Sequence, residues 1–259
     1  MSTLQTTIRD LGRRRGRERR GLALAEGVRL VEEAMAAGVE LRGAAVSPAL
    51  EATSRGRALK SGLETAGVRL EAVAEPELER LADTEHPQGI VAVIRPPSWT
   101  LEHIATPAGA ALLVLDAVQD PGNVGTMLRT GLGLGAAGLV ALKGTAELVS
   151  PKVLRASMGA LFRLPAVAAD PAAFLEWARG RGVELWVADP EGIALPLPAG
   201  RRDQRPPLAL VLGNEGAGVG AALGAAGTRR VAIPLASGAE SLNVAVAAGI
   251  LLYEVTRGV

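Results

Sequence analysis

LALVLGNEGAGVG, residues 208–220, and VAIPLASGAESLNVAVAAGILLYEV, residues 231–255, are the two stretches on which the fold of this chain turns. Two apolar runs, Leu208–Leu212 and Val231–Leu235, each break into a loop rich in Gly, Asn, Ser and Glu. An Ala-rich apolar segment, Leu242–Val255, follows them. Short apolar runs that end in such loops read as buried parallel strands whose carboxyl ends open onto polar turns. Open α/β sheets bind their ligands at those ends. Glu215, Glu240, Ser241 and Asn243 all fall in these turns, so polar chemistry is concentrated there.

Working outward, residues 108–259 alternate between the two element types. ALLVLDAV, GLVALKG, RLPAV and VELWVADP read as strands; NVGTMLRTGLGLG, SPKVLRASMGALF and PAAFLEWARGRG read as helices. Such alternation implies a parallel sheet with helices on both faces. Ahead of it, RPPSWTLEHIATPAGA carries Pro96, Pro97, Pro107 and Gly109 with little periodicity, which places a linker at residues 98–107. Residues 1–97 form a smaller α/β domain. Within LALAEGVRLVEEAMAAGV, Val28, Leu30, Val31, Ala34 and Met35 have helical spacing. LRGAAVSP, VRLEAVAEP and GIVAVIRPP are strand-like runs stopped by proline, and EPELERLADTEHPQG is a helix running into a polar loop that holds His86. A turn of that make-up is more often structural than a contact surface.

One cofactor motif is a decoy. GLGAAG, Gly133–Gly138, satisfies the dinucleotide pattern G-x-G-x-x-G, but that motif needs a strand before the glycines and a helix after them. Here a helix precedes and a strand follows, so Gly135 reads as a helix stop and a nicotinamide enzyme is rejected.

Composition narrows the chemistry further. The 259 residues include no cysteine, which excludes disulfides, a Cys-type zinc site, an iron–sulfur cluster and a thiol nucleophile. His86 and His103 are the only histidines, which argues against a His-based metal centre; no metal is expected. No run approaches a membrane span and residues 1–20 are too polar for a secretory signal, so a cytoplasmic location without a membrane partner is expected. The net charge of +1 conceals an asymmetry. RDLGRRRGRERR, residues 9–20, sets seven arginines against Asp10 and Glu18, a local +5. Such a block is an electrostatic footprint for phosphate, with a solvated helix face as the bland alternative. Aromatics amount to 2% of the chain, too few for a base-stacking platform.

Three strings together resemble the SpoU (TrmH-type) branch of the SPOUT RNA 2′-O-ribose methyltransferases. DAVQDPGNVGTMLRTG looks like that family's first motif, with Asn123, Gly125 and Arg129. LVLGNEGAGV is similar to its second, with Gly213, Asn214 and Glu215. IPLASGAESLNVAVAAGILLYE is similar to its third, with Ile233, Pro234, Ser241, Leu242 and Asn243. Each alone could be an ordinary turn or helix cap; three in this order carry the resemblance. SPKVLRASMGALFRLP is typical of rRNA-modifying members. More weakly, residues 21–95, including EGVRLVEEA and DTEHPQGI, resemble the L30e-like substrate-binding domain often fused in front.

The resemblance implies a carboxyl-terminal SPOUT domain over 108–259 closed by a deep trefoil knot, behind an L30e-like domain over 1–97. It implies S-adenosylmethionine (AdoMet) held by main-chain groups around Leu212, Gly213, Ile233, Leu235 and Leu242, and a homodimer in which one subunit completes the other's site. Asn123, Arg129, Glu215, Ser241 and Asn243 are the implied catalytic set. Arg13, Arg14, Arg15, Arg17, Lys152 and Arg155 are the expected RNA contacts. The implied activity is methylation of a ribose 2′-oxygen, most naturally in large-subunit rRNA, given the front domain and the lack of a long tail after the third motif. A tRNA substrate, or a non-catalytic RNA-binding or ribosome-assembly role, is the alternative.

Overall fold

Each buried apolar run of the carboxyl-terminal half becomes a strand of one sheet in the computed structural model, which describes residues 3–84, 87–196 and 204–257. His86 lies outside the described residues. The chain divides into two compact units, one made of residues 1–98 and 149–162, the other of residues 99–148 and 163–259.

The second unit holds, in chain order within it, β5 (Ala111–Leu115), α6 (Pro121–Gly133), β6 (Leu139–Leu142), β7 (Ala166–Ala169), α8 (Pro171–Gly180), β8 (Glu184–Ala194), β9 (Leu208–Leu212), α9 (Ala221–Ala226), β10 (Arg229–Ala232) and α10 (Val244–Thr256). The described strands form a parallel sheet in the order β10-β8-β9-β5-β6-β7. Every residue of β5, β6 and β9 is buried, as expected of strands covered on both faces. One face packs Leu112, Val114, Val140, Ala209 and Val211 against Phe174 and Trp177 of α8 and Leu223 of α9. Burying a side chain such as Phe174 contributes about 1.5–3 kcal/mol. On the other face α10 lies along α6 and over β5 and β9.

Helix starts follow a recurring local rule. Asp120-Pro121 and Asp170-Pro171 each set a capping carboxylate before a proline at the first helical position. The Asp120 side chain accepts from Asn123 N and that of Asp170 from Ala172 N. Gly135, at φ +71°, follows the end of α6 and β6 comes next, so the glycine pattern there ends a helix. Two runs differ from the sequence reading. The strand expected at Val231–Leu235 ends at Ala232, and β8 runs beyond the predicted VELWVADP to Ala194.

From β5 the chain moves outward through α6 to β6, and from β9 it moves the other way through α9 to β10. The loops after β5 and β9 are therefore adjacent and diverge, which is a topological switch point.

The first unit contains α1 (Leu4–Leu11), α2 (Arg14–Arg20), β1 (Ala23–Glu26), α3 (Val28–Ala36), β2 (Glu40–Val46), α4 (Ser54–Thr65), β3 (Leu70–Ala72), α5 (Glu75–Leu81), β4 (Ile90–Arg95) and α7 (Pro151–Ser157). Its sheet runs β1-β4-β2-β3, antiparallel except between β2 and β3. Strand β1 is a correction: the sequence reading ran it into the following helix. Gly27 at φ +87° separates the two, and Gln88 Oε1 accepts from Val28 N, 3.1 Å away, to start α3.

The arginine block is docked helix rather than loose arm. Leu4, Ile8 and Leu11 of α1 are buried against Leu24, Leu78, Leu81, Val91 and Val93. Arg19 and Arg20 both bond Asp10, and those hydrogen bonds, that from Arg20 first, hold its carboxyl below the usual range. Arg17, expected to contact RNA, is only 6% exposed. Its Nη1 donates to Leu11 O at 2.8 Å and Gly12 O at 3.1 Å, so it caps the end of α1. Arg155, also expected to contact RNA, is paired within this unit. Its Nη1 donates to Glu26 Oε2 at 2.8 Å and its Nη2 to Asp83 Oδ2 at 2.7 Å. Burial pushes the Glu26 carboxyl above its ordinary range against the pull of the Asp83 amide and Arg155. The segment 149–162, read from sequence as part of the carboxyl-terminal domain, packs here with α7 against β1.

Candidate functional site

Three segments far apart in sequence meet through side-chain amides at the switch point. Asp120 caps α6 and so fixes Asn123 in its first turn. Asn123 Nδ2 donates to Glu215 Oε1, in the loop after β9, at 2.9 Å. Asn123 Oδ1 accepts from Asn243 Nδ2, also at 2.9 Å. Asn243 is itself the cap of α10, its Oδ1 accepting from Ala245 N at 2.9 Å and Val246 N at 3.3 Å. The result is a directional chain from the α10 amino terminus through two amides to a carboxylate. Each amide uses both its donor and its acceptor, so its orientation is determined.

Two further residues tie the loops together. Asp116 Oδ2, at the carboxyl end of β5, accepts from Gly220 N at 2.7 Å. Asn214 Nδ2 donates to Ala117 O at 3.1 Å. Neither was assigned a role from sequence. The signal available for Asp116 was a carboxylate placed directly after the apolar run ALLVL.

Beside β8 and β10 lies a cleft of about 160 Å³, lined by Ala188, Asp189, Ile233, Leu235, Ser241, Leu242 and neighbouring small residues. Leu235 and Leu242 are more than a third exposed at its rim. Together they give the cleft an apolar rim. Asp189 pairs with Arg230 at 2.6 Å, and Glu240 is a second carboxylate on the lining. Small aliphatic walls with carboxylates beside them suit a purine nucleoside that carries a cation.

The sequence-predicted residues sort accordingly. Asn123, Glu215 and Asn243 are joined directly. Ser241, Ile233, Leu235 and Leu242 line the cleft. Leu212 and Gly213 are not on its lining; Leu212 is buried at the end of β9, where its carbonyl accepts from Asp116 N at 2.8 Å. Arg129 is exposed in the middle of α6 with no side-chain partner among the described residues, outside the amide chain. Arg13, Arg14, Arg15 and Lys152 are exposed.

Comparisons with known proteins identify the family. The model of the SpoU rRNA Methylase family matches residues 110–253, and that of the MRM3-like substrate binding domain matches residues 6–92. The chain is 39% identical to the 23S rRNA (guanosine(2553)-2′-O)-methyltransferase RlmP of Bacillus subtilis over 75% of each chain. It is 33% identical to the 23S rRNA (uridine(2479)-2′-O)-methyltransferase of Streptomyces viridochromogenes, over 95% of this chain and 86% of that one. Among solved structures, the SpoU methyltransferase AviRb of Streptomyces viridochromogenes in complex with AdoMet superposes with a TM-score of 0.83, covering 97% of this chain and 96% of that chain at 30% identity. The chain therefore belongs to the SpoU rRNA methylase family and carries an MRM3-like substrate-binding domain ahead of its methylase domain.

Proposed function

We propose that this protein transfers the methyl group of AdoMet to a ribose 2′-oxygen of large-subunit rRNA. The observation that carries the reading is the Glu215–Asn123–Asn243 chain at the sheet's switch point, in the same unit as the aliphatic cleft that Ser241 lines. AdoMet supplies an electrophilic sulfonium methyl when bound, and Ile233, Leu235 and Leu242 would hold its adenosine portion. The chain's own task is to align a weakly acidic hydroxyl and let its proton leave. Asn123 and Asn243 present fixed amides to the ribose, and Glu215 orients Asn123. A guanidinium stays protonated in water and is a poor base. Arg129 therefore serves by gripping the target phosphate and stabilising charge on the oxygen, while the proton passes to phosphate or water. If Arg129→Lys kept near-normal turnover, that bidentate role would be wrong.

A homodimer fits the same reading. Val246, Ile250 and Tyr253 share one face of α10 at helical spacing and are 39–56% exposed; Leu132 of α6 is 38% exposed. A second copy would cover this stripe and bring Arg129 to the partner's site. Arg13, Arg14, Arg15 and Lys152 would meet the RNA backbone, whereas Arg17 and Arg155 are occupied internally. The deep trefoil knot implied by the resemblance remains part of the proposal for the loops after β9 and β10.

The test is tritiated methyl transfer from AdoMet to rRNA lacking its natural modifications, followed by mapping of ribose methylation. Label at one ribose is expected. AdoMet binding without transfer to any rRNA would overturn the proposal.

A further inference from the structure

We propose that Asn214 is a positioning residue for this transfer, a reading that rests on the methyltransferase function proposed above. It clamps the β9 loop to the β5 exit so that Glu215 meets Asn123. The side chain works in two directions. Its Oδ1 accepts from Gly216 N at 2.9 Å and Ala217 N at 3.1 Å, while its main chain exchanges hydrogen bonds with Gly218 at 2.9 and 3.1 Å. Residues 214–218 are thereby closed into a small rigid turn. Facing the other way, Nδ2 donates to Ala117 O at 3.1 Å, bridging 97 residues of sequence.

The receiving end is informative. Ala117 has φ +56°, a left-handed conformation that an L-residue adopts only when its surroundings impose it. Its carbonyl is aimed at Asn214 as a consequence. The far end of the loop is held by a second strut, Gly220 N to Asp116 Oδ2 at 2.7 Å. Glu215 thus projects from a turn anchored on both sides, and its carboxylate meets Asn123 at 2.9 Å. A purely local turn would need only an acceptor at position 214, which Asp or Ser also supplies. The cross-loop bond needs a donor on the opposite side of the same side chain; a carboxylate has none and a serine hydroxyl is one atom on a shorter stem, so of the three only the amide serves both partners at once.

Asn214→Asp keeps the turn's acceptor and the side-chain shape but deletes the donor. Asn214→Ser keeps a single hydroxyl on a shorter stem, which can accept in the turn but cannot at the same time reach the Ala117 carbonyl, and it adds no charge, which keeps the experiment valid should the aspartate variant fold poorly. In the full-length protein, both variants are expected to bind AdoMet by calorimetry with little change and to melt near the parent temperature. Their kcat on undermodified rRNA is expected to fall about 10- to 100-fold, the scale of a displacement on the order of 1 Å in reacting geometry. Because Asn214 acts through Glu215, combining Asn214→Ser with Glu215→Gln should cost no more than Glu215→Gln alone. Parent-like kcat in both single variants, or losses that multiply in the double variant, would overturn the inference while leaving the methyltransferase reading intact. A parent protein that binds AdoMet yet methylates no rRNA would overturn both.

Discussion

Replacing Arg155 with methionine keeps most of the apolar stem of the side chain and removes its charged head, which exposes how much the first unit depends on one ion pair. The Glu26 side chain is 2% exposed and that of Arg155 is 25% exposed, with 2.8 Å between Nη1 and Oε2. Removing one partner of a buried pair typically costs about 3–5 kcal/mol, because the remaining charge is stranded. Water reaches one side of Arg155, which screens the pair and brings the cost to the bottom of that range or just below it, about 2–3 kcal/mol. In a unit of about 100 residues each kcal/mol moves the melting temperature by about 4–8 °C, so a fall of about 10–20 °C is expected at pH 7.5. Burial already holds the Glu26 carboxyl above its ordinary range. The folded state therefore keeps this proton more tightly than the unfolded chain does. The stability that comes from protonating Glu26 is fully present below the unfolded pKa and is lost as pH rises through the raised folded value. Without Arg155 the folded value climbs further, so the deficit of Arg155→Met should shrink as the pH is lowered through that range. Differential scanning calorimetry from pH 5 to pH 7.5, with Arg155→Met and Glu26→Gln/Arg155→Met side by side, measures it. The double variant should recover much of the loss, since a neutral amide still accepts from Asp83 N in place of the carboxylate. A deficit below about 0.5 kcal/mol at pH 7.5, within the range of ordinary surface substitutions, would refute the reasoning. So would a deficit that does not change with pH, or a double variant as unstable as the single one.

Gly213→Ala should abolish methyl transfer, because a Cβ there would lie 2.2 Å from the backbone of Gly218 and would force open the turn that carries Glu215; parent-like activity in the transfer assay would contradict the packing. Arg17→Met should lower the melting temperature, since it strands the carbonyls of Leu11 and Gly12 at about 1–3 kcal/mol. Arg13→Gln should leave that temperature unchanged and instead weaken rRNA binding with a shallower salt dependence, measured by filter binding at several ionic strengths. Ile250→Asp together with Tyr253→Asp should yield monomers by light scattering and, with Arg129 no longer reaching a partner's site, inactive ones.

Much of the methylase unit was legible because its strands are buried on both faces and so appear as unbroken apolar runs, while Asp-Pro pairs mark two of its helix starts. Asn123, Glu215 and Asn243 were singled out through the resemblance of the strings that carry them, although nothing in those strings reveals that one amide chain connects them. Charge proved the least informative signal. Arg13 and Arg17 look alike in the sequence, yet one is exposed and the other caps a helix, because burial depends on where α1 docks. The internal pairing of Arg155 was hidden for the same reason: its partners lie 129 and 72 residues earlier in the chain. Strand β1 escaped notice because LALAE, a short apolar run directly before a helix, has no periodicity of its own, and only the torsion at Gly27 divides the two.

The allocation of residues 149–162 has a consequence for biosynthesis. The first unit is not finished when residue 98 has been made; it lacks α7, and Glu26 has no arginine to meet, until residue 162 leaves the ribosome. At 5–20 residues per second that interval lasts roughly 3–13 s, during which the amino-terminal domain exists as an incomplete core with a stranded carboxylate. Expressing residues 1–98 alone would make that nascent intermediate permanent, so a stable, soluble fragment is the wrong expectation for a domain whose last helix is encoded inside its neighbour.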